Sequence, residues 1–219
     1  SNVRPEVTEA LSEALGMPVT GEQLFAYIAA LTGHPGFTAH FRADLIQPGL
    51  RVPLTTSPSL FNAAVSIGRT LIWLQAFGER EIDPAAGRPR GAPRLPAGEG
   101  PRIDADGAIP SAGEKMPDTI SYDPAQRELK VGEGTISNVP EDVWAYEVSG
   151  KQVLVQWFSY RKLDRSRPMI GDRREPSDLE HLQPDGWLSE YTAELINLIH
   201  ILGWMRKLEG QQQELLDQI

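Results

Sequence analysis

Three sets of residues in this chain have the types and spacing to do chemistry. The first is Asp118 with Glu128-Leu129-Lys130. An acid, then acid-x-lysine on a paired strand, can hold a divalent cation between two carboxylates while the lysine stabilises an attacking water. That would be phosphodiester hydrolysis at a metal formed by Asp118, Glu128 and Lys130. The plainer reading is a hairpin with its polar residues outward. It is preferred, because the pattern follows a long irregular stretch instead of lying between helices. The second set, GAIPSAGEK from Gly107 to Lys115, looks like a phosphate loop at first sight. Its glycines are one residue too far apart, Glu114 separates Gly113 from Lys115, and no Ser or Thr follows. The third set is basic. Lys151, Arg161, Lys162, Arg165, Arg167, Arg173 and Arg174 are opposed only by Asp164 and Asp172, a local charge of +5. Such a cluster can grip a polyanion.

The whole chain points the other way, with a formal charge of −9 over 219 residues. Taken alone, that argues against nonspecific adhesion to nucleic acid or to an anionic membrane. A local patch still acts, because charges are screened beyond about 8 Å at physiological salt. The chain has no cysteine, which excludes disulfides, thiolate metal sites and cysteine nucleophiles together. That fits a cytoplasmic protein. No stretch approaches the roughly 18–20 apolar residues of a membrane helix, and the polar start SNVRPEVTEAL is no signal peptide. Hydrophobic residues make up 40%, enough for a real core. His34, His40, His181 and His200 are scattered off metal-ligand spacing and read as cap, surface or interface residues.

The elements that must position these groups begin with helices. PEVTEALSEAL places Val7, Leu11 and Leu15 on one face. Thr20 can cap a second helix that aligns Leu24, Tyr27, Ile28 and Leu31. Gly33-His34-Pro35 breaks it, and a third helix is expected with Phe37, Phe41 and Leu45 in register. Pro48 and Pro53 make PGLRVPL an extended connector. A long helix over about 59–77 then carries Leu60, Ala64, Ile67, Leu71 and Leu74. From Glu79 the chain is dense in Pro and Gly and predicts a long, loosely held crossing. Ile120 and Tyr122, then Leu129 and Val131, alternate around Asp-Pro-Ala-Gln and predict a hairpin. Pro140-Glu-Asp opens a helical turn, VWAYEVS reads as a strand, and KQVLVQWFSYRK as a helix. The end predicts one strong helix on Tyr191, Leu195, Leu198, Leu202, Met205 and Leu208, then a short one with Leu215 and Leu216.

Trp144, Trp157 and Phe158 are most simply core, since a small strand-turn-helix unit needs large anchors. The bases beside them suit phosphates, and Gln152, Gln156 or the arginines could read base edges. Two segments also carry a resemblance: RVPL (Arg51 to Leu54) after the helical pair LFAYIAALTGHPGFTAHFRADL, and VPEDVWAYEVSGKQVLVQWFSYRK later. In that order they resemble the C-terminal part of type ISP restriction-modification enzymes and related adenine-specific DNA methyltransferases. There, a helical spacer with an Arg-Ile/Val-Pro segment follows the methyltransferase core. A target-recognition domain then carries a segment matched by Gly150, Val153 or Leu154, Trp157, Phe158, Arg161 and Lys162. The core's Asn-Pro-Pro-Tyr tetrapeptide and Gly-rich S-adenosylmethionine loop do not occur here. DLEHLQPDGW also departs from the family's simpler linker.

The resemblance implies an α+β chain: a helical spacer (1–80), a crossing (81–116), a target-recognition domain with a small antiparallel sheet (117–188), and C-terminal helices packing on the spacer (189–219). It implies contact with double-stranded DNA through Lys151, Gln152, Gln156, Tyr160, Arg161, Lys162, Arg165, Arg167, Arg173 and Arg174. No catalytic, cofactor or metal residue is expected in this chain. S-adenosylmethionine is expected to bind the methyltransferase core of the parent polypeptide. The alternative is a helical protein-docking module without DNA contact, which the negative charge and amphipathic ends would suit.

Overall fold

The computed structural model describes residues 3–111, 116–163 and 184–219, and within them the chain is α+β. It divides into two compact units, one of Ser1–Pro93 with Trp204–Ile219, the other of Arg94–Gly203.

The first unit is helical. α1 (Pro5–Leu15) buries Leu11 and Leu15 but leaves Val7 exposed. α2 (Gly21–Thr32) starts at Thr20 with the reciprocal capping that sequence predicts. The Thr20 hydroxyl accepts from Gln23 N, and the Gln23 side chain accepts from Thr20 N. α3 (Pro35–His40) is shorter than expected. Its cap is His34, whose Nδ1 accepts from Gly36 N. Pro48 forbids helix just before it, so the chain turns and leaves Leu45 exposed instead of in register with Phe37. α4 (Pro58–Gln75), capped by Ser57, buries Phe61, Ala64, Val65, Gly68, Leu71 and Leu74. Its inner face is thus rotated toward Phe61 and Val65, with Leu60 and Ile67 at its margins.

Gly68 explains the rotation. A Cβ there would lie 1.7 Å from the Ala26 carbonyl oxygen, so α2 and α4 meet backbone to backbone at that point. Beside this contact, Tyr27 stacks on Phe61 at 5.1 Å. The Tyr27 hydroxyl donates to Pro53 O and accepts from Thr55 N, which fixes the RVPL connector.

The second unit is built on a three-stranded antiparallel sheet, β1 (Ile120–Asp123), β2 (Glu128–Val131) and β3 (Gly134–Ile136). The register pairs Ile120 with Val131 and Tyr122 with Leu129, as the alternation predicts. Leu129, Val131 and Ile136 are fully buried. α5 (Glu141–Trp144) takes the start of the expected VWAYEVS strand, leaving only β4 (Glu147–Val148), which pairs with β5 (Lys151–Gln152). Pro140 at the helix N-cap, with two acids in the first turn, explains the change. α6 (Val153–Ser159) follows directly.

The Pro/Gly-rich crossing is irregular but specifically tied. Arg102 bridges Ser137, Gly107 O accepts from Thr135 N, and Asn138 donates to Gly98 O and Gly100 O. Leu95 N donates to Nδ1 of buried His200 at 3.0 Å. Gly107 therefore serves the sheet, while Gly113, Lys115 and His181 lie outside the described residues.

The two expected C-terminal helices are one, α7 (Ser189–Leu216). Ser189–Gly203 belongs to the second unit and Trp204–Leu216 to the first. Exposed Gly210 weakens the helix by only about 1 kcal/mol. Burial of Leu208, Gln212, Leu215 and Leu216 on both sides of it offsets that. The Gln212 amide donates to Ala30 O at 2.7 Å. Among the described residues, no helix is long and apolar enough to cross a membrane.

Two outcomes follow. Gly68→Ala forces α2 and α4 apart and should lower stability by about 1–3 kcal/mol, read as a shifted urea midpoint. His200 has its pKa drawn down to about 4, first by burial and then by the Arg94 cation. The fold therefore favours the neutral ring, so its stabilisation is complete above the unfolded value near 6.5 and is lost as pH falls toward 4. The loss should be on the order of 2–3 kcal/mol. Denaturation at a series of pH values should show that decline in the wild type and a smaller one in His200→Gln.

Candidate functional site

Of the basic and amide residues singled out in the sequence, Lys151 and Gln152 form β5, Gln156 lies on α6, and Arg161 and Lys162 follow its end. The β4–β5 loop has two residues, Ser149 with φ 53° and Gly150 with φ 73°. Both are left-handed, which is the turn that suits the twist of a tight hairpin and explains the glycine. Gln152, expected to read bases, has its amide occupied as a donor to the Trp144 carbonyl, and Val153 N donates to Tyr146 O. These bonds fasten the hairpin where it enters α6.

α6 has two distinct sides. Leu154 and Phe158, four residues apart, are buried at 0% and 3% exposure. Gln156 and Tyr160, also four apart, fall on the other side, and Tyr160 is 53% exposed. The aromatic that anchors this unit is Trp187, at 2% exposure, and not Trp157, which is only half-buried. The Trp187 ring lies 6.2 Å from Trp157, 6.1 Å from Phe158 and 5.4 Å from Tyr191. Its indole N–H donates to Thr192 Oγ1 at 2.8 Å. Sequence reasoning missed Trp187. The available signal was its place four residues before Tyr191 at the start of the long helix.

Arg161 is drawn inward. Its guanidinium carbon sits 4.2 Å from the Trp157 ring centre and 5.4 Å from that of Tyr191. It donates to Trp157 O at 3.1 Å and pairs with Glu194 at 2.8 Å. The arginine is thus a clamp between α6 and α7 as well as a rim cation. Lys162 pairs with Asp118 at 3.6 Å, and Leu163 N donates to Pro117 O. Arg165, Arg167, Arg173 and Arg174 lie outside the described residues.

These elements enclose an open groove of about 410 Å³. Its floor is apolar: Val148, Val153, Trp157 and Leu198. Lys151, Gln156, Tyr160 and Arg161 stand around it. Four of the six described contact candidates therefore meet at one place, while Gln152 and Lys162 are engaged beside it. The acid-x-lysine pattern is divided differently. Asp118 faces Lys162, Lys130 faces Asp123 at 3.7 Å, and Glu128 is opposite Asp123 across the hairpin. No group of three metal-ligating side chains occurs among the described residues.

The profile of the Type ISP C-terminal specificity domain matches residues 1–198. The chain belongs to this family. Solved structures resemble the specificity domain over nearly its full length. One is a complex of DrdV with DNA, at 16% identity and TM-score 0.59, covering 100% of this chain and 20% of that one. Another is the ATP-dependent Type ISP restriction-modification enzyme LlaBIII bound to DNA, at 15% identity and TM-score 0.56, covering 99% and 12%. A third is a nuclease-deletion mutant of the Type ISP enzyme LlaGI with a DNA substrate mimic, at 14% identity and TM-score 0.51, covering 93% and 14%. These likenesses establish a shared fold, and the specificity domain spans a fifth or less of each chain it resembles. No curated protein matches it.

Trp187→Ala should destabilise the domain by about 3–5 kcal/mol, the usual cost of emptying a buried aromatic site. Trp157→Ala, at a half-exposed position, should cost clearly less. Urea denaturation of both variants checks the order; equal losses would restore Trp157 to the core.

Proposed function

We propose that this specificity domain recognises double-stranded DNA for a restriction-modification enzyme, and that the α6 groove is part of the recognition face. The observation that carries the reading is the meeting of Lys151, Gln156, Tyr160 and Arg161 around one open groove in a chain of this family. The three related structures are complexes with DNA or a DNA substrate mimic, which is in keeping with it. Cations at the rim position a phosphate backbone, and amide or hydroxyl groups beside them reach base edges. Arg165, Arg167, Arg173 and Arg174 extend the basic set along the same chain segment.

The same reading places methyl transfer elsewhere. The parent polypeptide is an S-adenosylmethionine-dependent adenine methyltransferase working in the cytoplasm, and its catalytic core holds the cofactor and the other side of the DNA. This chain contributes sequence choice and orientation. Its lack of the tetrapeptide and the Gly-rich loop supports that division of labour.

Lys151 is the cleanest probe. It is exposed, sits at the hairpin turn, and forms no ion pair among the described residues. In the full enzyme, Lys151→Ala should weaken DNA binding and flatten the plot of log affinity against log salt by about 0.9. Stability should change by less than about 0.5 kcal/mol. An unchanged slope would place the phosphate contacts on another face.

A further inference from the structure

We infer that the α6 groove reads an A·T base pair in the major groove, with Gln156 on the adenine edge and the apolar floor against the thymine methyl. The inference rests on the DNA-binding reading above and adds the ligand's identity. Two features of the groove point to the same pair. A glutamine amide matches adenine's N7 acceptor and N6 donor with one bidentate contact, and an apolar surface matches only thymine, the one base with a major-groove methyl. Here the two are side by side. Gln156 lines the groove together with Val148, Val153, Trp157 and Leu198. The Gln156 side-chain amide is not used in any bond among the described residues, unlike that of Gln152. Lys151 at the rim supplies the charge that keeps a nucleotide, and not a neutral apolar segment, as the fitting occupant.

The geometry that holds this surface is stiff. Leu154 and Phe158 fix α6 from below, and Arg161 holds the Trp157 ring from the side. A cytosine in the thymine's place presents C5–H where the methyl would be, so the floor loses its contact, and a guanine opposite lacks the N6 donor that the Gln156 carbonyl would accept from.

The test selects duplexes from a randomised library with the full enzyme, then repeats the selection with Gln156→Ala and with Val148→Asn, the latter at an exposed turn position. The wild type should yield a consensus containing an A·T pair. Gln156→Ala should relax that one position, reducing discrimination there by roughly 5- to 150-fold and leaving the others intact. Replacing that thymine by uracil should weaken wild-type binding about three- to fivefold, the worth of one methyl, and Val148→Asn should reduce the difference. A consensus in which no position responds to Gln156→Ala, or no sensitivity to uracil, overturns the base assignment while DNA recognition stands. The base assignment falls equally if both variants leave DNA selection untouched because the groove seats a protein segment. Uniform loss at every position would make Gln156 a structural residue and also overturns it. Recovery of no DNA by the wild type overturns the DNA-binding reading itself.

Discussion

The groove exists because one cation is held from several sides. Arg161 lies against Trp157, faces Tyr191, donates to the Trp157 carbonyl and pairs with Glu194. The first and third of these tie Arg161 back to α6; the other two reach α7. A short helix of seven residues has little stability of its own, since helices under about a dozen residues are marginal in water. α6 is therefore positioned by what it touches. Leu154 and Phe158 secure its depth, and Arg161 secures its rotation. The cation–π contact contributes about 0.5–2 kcal/mol depending on desolvation, and the ion pair adds to it. Because Glu194 compensates part of its charge, Arg161 contributes less long-range field than its formal charge suggests. Lys151 carries correspondingly more of the local potential.

This arrangement answers how so acidic a chain could approach a polyanion. The net charge of −9 is an average over a molecule much wider than the screening length. Within the sequence, the segment from Lys151 to Arg174 carries +5 against that average.

Much of the architecture was legible in the sequence where local chemistry decides it. Thr20 with Gln23 announced a helix start, and the Asp-Pro-Ala-Gln turn set the β1–β2 register. The Gly150–Lys162 segment, with RVPL before it, named the family. Most of the failures share a different cause, a distant contact that outweighed a local pattern, while in VWAYEVS one local signal outweighed another. Two terminal helices were expected, but burial on both sides of Gly210 carried α7 through. VWAYEVS alternates like a strand, yet Pro140 and two acids started a helix inside it. Trp157 and Trp187 are the same residue type, and only the packing tells which is sealed and which lines a surface. The Pro/Gly crossing read as loose because its anchors are remote in sequence, Ser137 at 35 residues from Arg102 and His200 at 105 from Leu95.

The two sides of α6 have a longer-term consequence. Leu154 and Phe158 alternate with Gln156 and Tyr160, so the residues that maintain the helix and those that face the groove interleave without sharing a position. Exchange at 156 or 160 leaves the buried pair untouched, and the Ser149-Gly150 turn presents Val148 and Lys151 with the same freedom. The helix can thus change its exposed chemistry at a few positions without disturbing the packing that holds it, so surface variation there is uncoupled from the risk of misfolding.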